Sequence, residues 1–243
     1  MPFIDLQCHY GVTPETIAVR PPQLAEAAVY ADKFGVEQLC FSSREAVSDI
    51  VGGNIRLAEK LTQDKRFRGW LTLSPHQPEQ SQELARKYLV KPNWVGARFE
   101  QNGDADAIDG AGGHEVLNAL RRYSRPALVT ASTPATLAAV ITVAKDFHSL
   151  RFVLSPQSDS LTSNAISAIK ENVNISLLLN VAYTQRGVLE RAMEVLGDRR
   201  VMWASDWGSY HPAAALGMIK DSAITTAQRE RLTYRNAKEL LSQ

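Results

Sequence analysis

Arg200–Val201–Met202–Trp203–Ala204–Ser205–Asp206–Trp207–Gly208 decides the reading of this chain. Val201 to Ala204 is an apolar run that reads as a buried strand, and it ends in a lone carboxylate beside an aromatic and a glycine. Strands of parallel sheets are near-continuous apolar runs, covered on both faces. Ligands and chemistry in α/β folds sit just past the carboxyl ends of such strands. Asp206 therefore stands where an acid can be used. The alternative is structural: aspartate is a good helix cap, and a helix begins near Pro212–Ala215.

The start of the chain bears on that choice. Phe3–Ile4–Asp5–Leu6–Gln7–Cys8–His9–Tyr10–Gly11 reads as a short strand running into a loop. Side chains alternate along a strand, so Asp5, Gln7 and His9 are expected on one face. A polar face on a first strand makes sense if it points into a barrel mouth.

Between these ends, strand and helix patterns alternate. Strands are expected at 37–41, 67–73, 93–99, 127–131, 151–154 and 175–179. Helices are expected at 23–34, 49–63, 78–89, 114–123, 133–149, 161–172 and 184–196, with two more after strand eight. Eight alternations predict parallel strands with right-handed crossovers. At 243 residues, the chain suits one (β/α)8 TIM-barrel domain spanning 1–243, with extra carboxyl-terminal helices. The longest break in pattern is Glu100 to Gly113, rich in glycine and aspartate. It lacks the ordered spacing of an EF-hand loop and reads as a solvated rim or a lid.

Bulk properties exclude several classes. Apolar residues make up 44%, charged residues 22%, and the formal net charge is +1. That balance offers no field for nucleic acid or an anionic membrane. No apolar run is long enough to span a bilayer, and a signal-peptide pattern is absent, so a cytoplasmic protein is expected. Cys8 and Cys40 both fall in expected strands and suggest no disulfide framework. No Gly-x-Ser-x-Gly elbow, Lys-Ser/Thr phosphate loop or CxxC pair is present, so no cofactor is expected.

Asp5-Leu6-Gln7-Cys8-His9 and Ala204-Ser205-Asp206-Trp207-Gly208, in this order and at this separation, resemble the amidohydrolase-related barrel hydrolases. That group contains dicarboxylate and sugar lactonases and some decarboxylases. Trp94–Phe99 resembles its fourth strand, Gly187–Arg200 its seventh helix and the entry to strand eight, and Tyr234–Leu241 its last helix. The resemblance implies a metal site with two histidines from strand one, one each from strands five and six, and the aspartate of strand eight. Here the corresponding residues are Gln7, His9, Thr130, Ser155 or Pro156, and Asp206. Three protein ligands plus an open position are the usual need of a catalytic zinc, and a neutral amide oxygen suits a borderline-soft ion poorly. No tightly held metal is expected.

What remains can do acid–base work. A carboxylate beside a histidine raises its basicity, and can itself orient the ring or take a proton from water. His9 and Asp206 are the catalytic candidates, unless His9 is a hydrogen-bonded remnant. Arg98, flanked by Val95, Ala97 and Phe99, either pairs with Glu100 or clamps a substrate carboxylate. Gln7, His76, Thr130, Ser155, Asn180, Tyr183 and His211 are candidate substrate-binding residues at strand ends, with Arg44 and Arg186 behind them. Two functions follow, beside a third reading, a metal hydrolase with unorthodox ligands, that metal analysis decides. One is a metal-independent, lactonase-like hydrolase of a small carboxylated or sugar-derived compound. The other is a catalytically retired barrel that binds a ligand or partner. A homo-oligomer is compatible with either.

Overall fold

Eight parallel strands alternate with helices in a computed structural model that describes residues 2–12, 22–101 and 108–242. The strands are β1 (Phe3–Tyr10), β2 (Val36–Ser43), β3 (Phe67–Thr72), β4 (Trp94–Gln101), β5 (Ala127–Ala131), β6 (Phe152–Pro156), β7 (Ile175–Asn180) and β8 (Val201–Ala204). They pair in sequence order from β1 to β8. At the remaining seam, Cys8 bridges Trp207, and His9 N donates to Trp207 O at 2.8 Å. The expected (β/α)8 TIM barrel is the architecture observed.

The outer helices are α1 (Leu24–Phe34), α2 (Ile50–Lys60), α3 (Pro78–Tyr88), α4 (Ala111–Arg121), α5 (Pro134–Asp146), α6 (Asp159–Ala168) and α7 (Val188–Leu196). Beyond β8 come α8 (Pro212–Asp221), α9 (Thr226–Glu230), a π-helical stretch (Arg231–Arg235) and α10 (Asn236–Leu241). Local chemistry sets several ends. Gly35 closes α1 in the left-handed region, Asp49 caps α2 by accepting from Gly52 N, and Thr133 caps α5 in a capping box. Helix α4 begins three residues before the expected His114, at a cap supplied by Gly110. The rest of the expected loop, 102–107, lies outside the described residues, as do residues 13–21. The calcium and lid readings of that segment thus fall largely on residues not described.

Two layers of apolar side chains follow from strand alternation. Leu39, Phe41, Leu71, Ala97, Val129, Leu154, Leu177 and Trp203 pack outward with the helices. Ile4, Leu6, Cys40, Trp70, Val95, Leu128, Val153, Leu178 and Met202 fill the barrel interior. Cys8 and Cys40 are buried free thiols. No described helix is long and apolar enough to cross a membrane.

Candidate active site

Strand β1 departs from simple alternation. Asp5 pairs with Leu39 and Cys8 with Phe41, so Leu6 and Gln7 together oppose Cys40. That is a β-bulge, which re-aims the residues after it. Leu6 packs into the barrel interior and Cys8 into the outer layer. Gln7 and His9 line a cleft at the carboxyl end of the strands. Asp5 does not share their face, contrary to the sequence expectation. Its carboxylate accepts from the Tyr30 hydroxyl of α1 at 3.2 Å and from Ser205.

The cleft has a volume of about 310 Å³ and is lined by Gln7, His9, Arg44, Val47, Arg98, Glu100, Gln157, Tyr183, Asp206, Ser209 and Tyr210. Asp206 leaves β8 with φ +52°, the left-handed region that non-glycine residues avoid. Gly208 follows at φ +97°, where a Cβ would meet the His9 carbonyl oxygen at 2.7 Å. Glycine at 208 thus lets the β8 exit close against β1. Asp206 does not cap α8. His211 does, through Nδ1 accepting from Ala213 N at 3.3 Å.

One oxygen of Asp206 is held twice. Gln7 Nε2 donates to Oδ1 at 2.5 Å, and His9 Nε2 lies 3.4 Å from the same atom. A carboxylate only accepts, so the Gln7 group facing it is the NH₂. Burial pushes the His9 pKa below its ordinary 6.5. The Asp206 contact pulls it up, and the Arg98 charge adds to the lowering. The expected net rise in basicity is therefore corrected: desolvation outweighs the carboxylate. A neutral His9 donates from Nε2 to Asp206, which leaves Nδ1 as acceptor, 3.5 Å from Ser42 Oγ.

Arg98 joins the same network. Its Nη1 donates to Ser42 Oγ at 2.6 Å and its Nη2 meets Glu100 Oε2 at 2.5 Å. The internal ion pair weighed from sequence is present, and Arg98 also lines the cleft. Arg44 sits close enough that burial and then the Arg98 charge both lower its pKa. Its Nη2 donates to Ser209 Oγ. Across the cleft, burial raises the Tyr183 pKa, with Tyr210 hydrogen-bonded beside it.

Other expected site residues are placed differently. Thr130 and Ser155 sit side by side near the carboxyl ends of β5 and β6, but neither lines the cleft. Thr130 Oγ1 donates to Phe99 O at 3.2 Å, and Ser155 Oγ accepts from Gln157 Nε2 at 3.1 Å. Asn180 is buried and caps the turn after β7 by accepting from Tyr183 N. His76 is exposed in the turn after β3. His211 is exposed and spent on its helix cap. Neither histidine lines the cleft. Sequence reasoning ranked Arg44 low and passed over Gln157, Ser209 and Tyr210. The available signal was position, since Arg44 and Gln157 directly follow β2 and β6.

An amidohydrolase family model matches residues 12–243, and the chain belongs to that family. A search of curated proteins finds no match. Among solved structures, 5-carboxyvanillate decarboxylase from Sphingomonas paucimobilis is similar at TM-score 0.77 and 14% identity, covering 99% of both chains. Dihydroxybenzoic acid decarboxylase from Polaromonas, with bound manganese and 2-nitroresorcinol, is similar at TM-score 0.78 and 16% identity, covering 99% of this chain and 97% of that one. A probable 2-pyrone-4,6-dicarboxylic acid hydrolase from Acinetobacter baumannii, with citric acid bound, is similar at TM-score 0.72 and 12% identity over all of both chains. At such identities the likeness is one of fold, and fold hosts many chemistries.

The manganese in one of these neighbours poses a test of the residues present here. Among the described residues, no three His, Cys, Asp or Glu side chains come together in a metal-binding group. Thr130 spends its hydroxyl proton on a backbone carbonyl, and Gln7 turns an N–H towards Asp206. Two guanidiniums line the cleft where a cation would be held. This donor set does not fit a catalytic divalent ion.

Proposed function

We propose that the chain is a metal-independent, lactonase-like hydrolase of a small carboxylated or sugar-derived compound. The observation that carries the reading is one cleft lined by both the His9–Asp206 pair and the guanidiniums of Arg44 and Arg98. Gln7 and His9 both bond Oδ1 of Asp206, so the second oxygen is the one offered to a water in the cleft. Asp206 takes the proton of that water as its oxygen bonds to a lactone carbonyl carbon; on collapse of the tetrahedral intermediate the ring C–O bond breaks, and Asp206 returns the proton to the leaving alkoxide oxygen. His9 holds the carboxylate in place. The guanidiniums anchor a substrate carboxylate and face the negative charge that develops on the carbonyl oxygen. An anion between Arg44 and Arg98 also relieves their mutual repulsion.

Turnover of a panel of sugar and dicarboxylate lactones by chelator-treated protein tests this reading. Hydrolysis that persists without metal and falls in Asp206→Asn supports it. Decarboxylation of hydroxybenzoates with no lactone hydrolysis overturns it. A second reading, binding without turnover, draws on Arg98 being already paired with Glu100. It predicts saturable binding of carboxylated ligands and no chemistry on either panel.

A further inference from the structure

Asp5 is fully buried and absent from the cleft lining. Yet its carboxylate grips the residue before Asp206 in two ways. Oδ1 accepts from Ser205 N at 3.0 Å, and Oδ2 accepts from Ser205 Oγ. Ser205 Oγ in turn accepts from Trp207 N at 3.0 Å. One carboxylate therefore fixes the neighbours of Asp206 on both sides. Between them Asp206 stands at φ +52°, a conformation that persists only when its surroundings over-determine it. The grip lies at the β1–β8 seam. The sheet order runs from β1 to β8, and Cys8–Trp207 is the bridge between these ends among the described residues. Asp5 supplies there, from a side chain, an acceptor that a strand carbonyl would supply elsewhere.

We propose that Asp5 is the positioning residue of this site. It holds the β8 exit in the backbone conformation that turns the Asp206 carboxylate onto His9 and Gln7. The β1 bulge gives this geometry its logic: the same irregularity that turns Gln7 and His9 inward leaves Asp5 on the outer side, behind the strand exit it braces. The catalytic consequence rests on the hydrolase reading above, whereas the structural consequence does not.

Asparagine at position 5 keeps the shape but not the acceptors. Its NH₂ would face the hydroxyls of Ser205 and Tyr30, both of which now donate to Oδ2. The β8 exit is then free to relax, and His9 loses the carboxylate that pulls its pKa up. The experiment is a double-mutant cycle read by NMR titration of His9, one of five histidines and assigned by its loss in His9→Gln. Asp5→Asn and Asp206→Asn should each move the His9 titration further down, and the double variant should move it no further than Asp206→Asn alone. Tyr30→Phe removes the hydroxyl that meets both Asp5 and Ser205 but leaves the Asp5–Ser205 bonds in place, and should move His9 far less than Asp5→Asn does. Should Asp5→Asn fail to fold, Ser205→Ala takes its place in the cycle, with a smaller downward shift expected.

A His9 titration unchanged in Asp5→Asn, or in Ser205→Ala where that variant is used, overturns the proposal. So does an additive double variant, which would mean that Asp5 acts through its own charge. A shift in Tyr30→Phe equal to that in Asp5→Asn would reduce the effect to general packing and also overturn it. The titration needs no substrate, so it stands apart from any failure of the hydrolase reading. Where turnover is found, Asp5→Asn should lower kcat while leaving KM near its wild-type value, because Arg44 and Arg98 are untouched.

Discussion

The two sides of the barrel mouth are built from different chemistry. On the β1–β8 side, Gln7, His9 and Asp206 converge, with Asp5 bracing them from behind. On the β5–β6 side, Thr130 and Ser155 occupy matching strand ends; the Thr130 hydroxyl donates to Phe99 O, and the Ser155 hydroxyl accepts from Gln157. A metal centre at a barrel mouth draws ligands from several strands at once. Here titratable groups crowd one side and neutral hydroxyls stand on the other. The difference teaches that a His–carboxylate contact is built here from one side of the mouth alone.

The largest expected effect falls on the titratable side. Asp206→Asn or His9→Ala should reduce lactone turnover by about a hundredfold or more, the usual cost of losing a general base or its partner. Steady-state kinetics on the responsive substrate check this, with circular dichroism to show that the fold persists. Undiminished activity in both variants would break the contrast and shift attention to Arg98.

Next in size is the proposed anion anchor, which lies between the two sides. Arg44→Ala should raise KM roughly tenfold with a smaller change in kcat, since a charge-assisted hydrogen bond contributes about 1.5–3 kcal/mol. Arg44 is only partly buried, so the lower end applies. Equal losses in kcat and kcat/KM, at unchanged KM, would instead place Arg44 at the developing charge.

A further effect appears in folding rather than turnover. Burial holds the folded His9 pKa below the unfolded value of 6.5. The unfolded chain then binds the proton first, so stability is lost as pH falls from 6.5 towards the folded pKa. His9→Gln should lose less stability than wild type over that window in urea melts. The buried Asp5 works in the opposite sense. Its pKa is raised to about 6 by burial, so its contribution favours the fold as pH falls from 6 towards 3.8. Comparing His9→Gln with Asp5→Asn therefore separates the groups. A wild type and His9→Gln that stay parallel as pH falls below 6.5 would contradict the burial of a neutral His9.

The smallest effects belong to the hydroxyl side. Thr130→Val and Ser155→Ala should each change turnover by less than about threefold, and cost about 1 kcal/mol of stability for the lost hydrogen bond. Large catalytic losses there would erase the contrast.

Sequence patterning carried the barrel well. The apolar run Val201–Ala204 is strand β8 as expected, and Asp206 stands just beyond it. Strand β5 and the start of α3 at Pro78 also follow directly from local pattern. Alternation failed at β1, because a bulge inserts one residue and Asp5 leaves the face of Gln7 and His9. No local signal in Asp-Leu-Gln-Cys-His announces that insertion, since its cause is the pairing with β2. His211 was legible as a residue near a strand end but not as a cap, because capping depends on where α8 begins. The His9–Asp206 contact could be anticipated from strand order. The direction of the His9 pKa could not, since burial is a property of the closed mouth rather than of two residues.

Metal content is the most direct measurement, because it needs no knowledge of the substrate. Protein purified without chelator, then equilibrated with zinc or manganese and dialysed, should retain well below one equivalent per chain, and His9→Ala should retain no less than wild type. One equivalent of tightly held metal in the wild type, lost in His9→Ala and in Asp206→Asn, would contradict the metal-independent account.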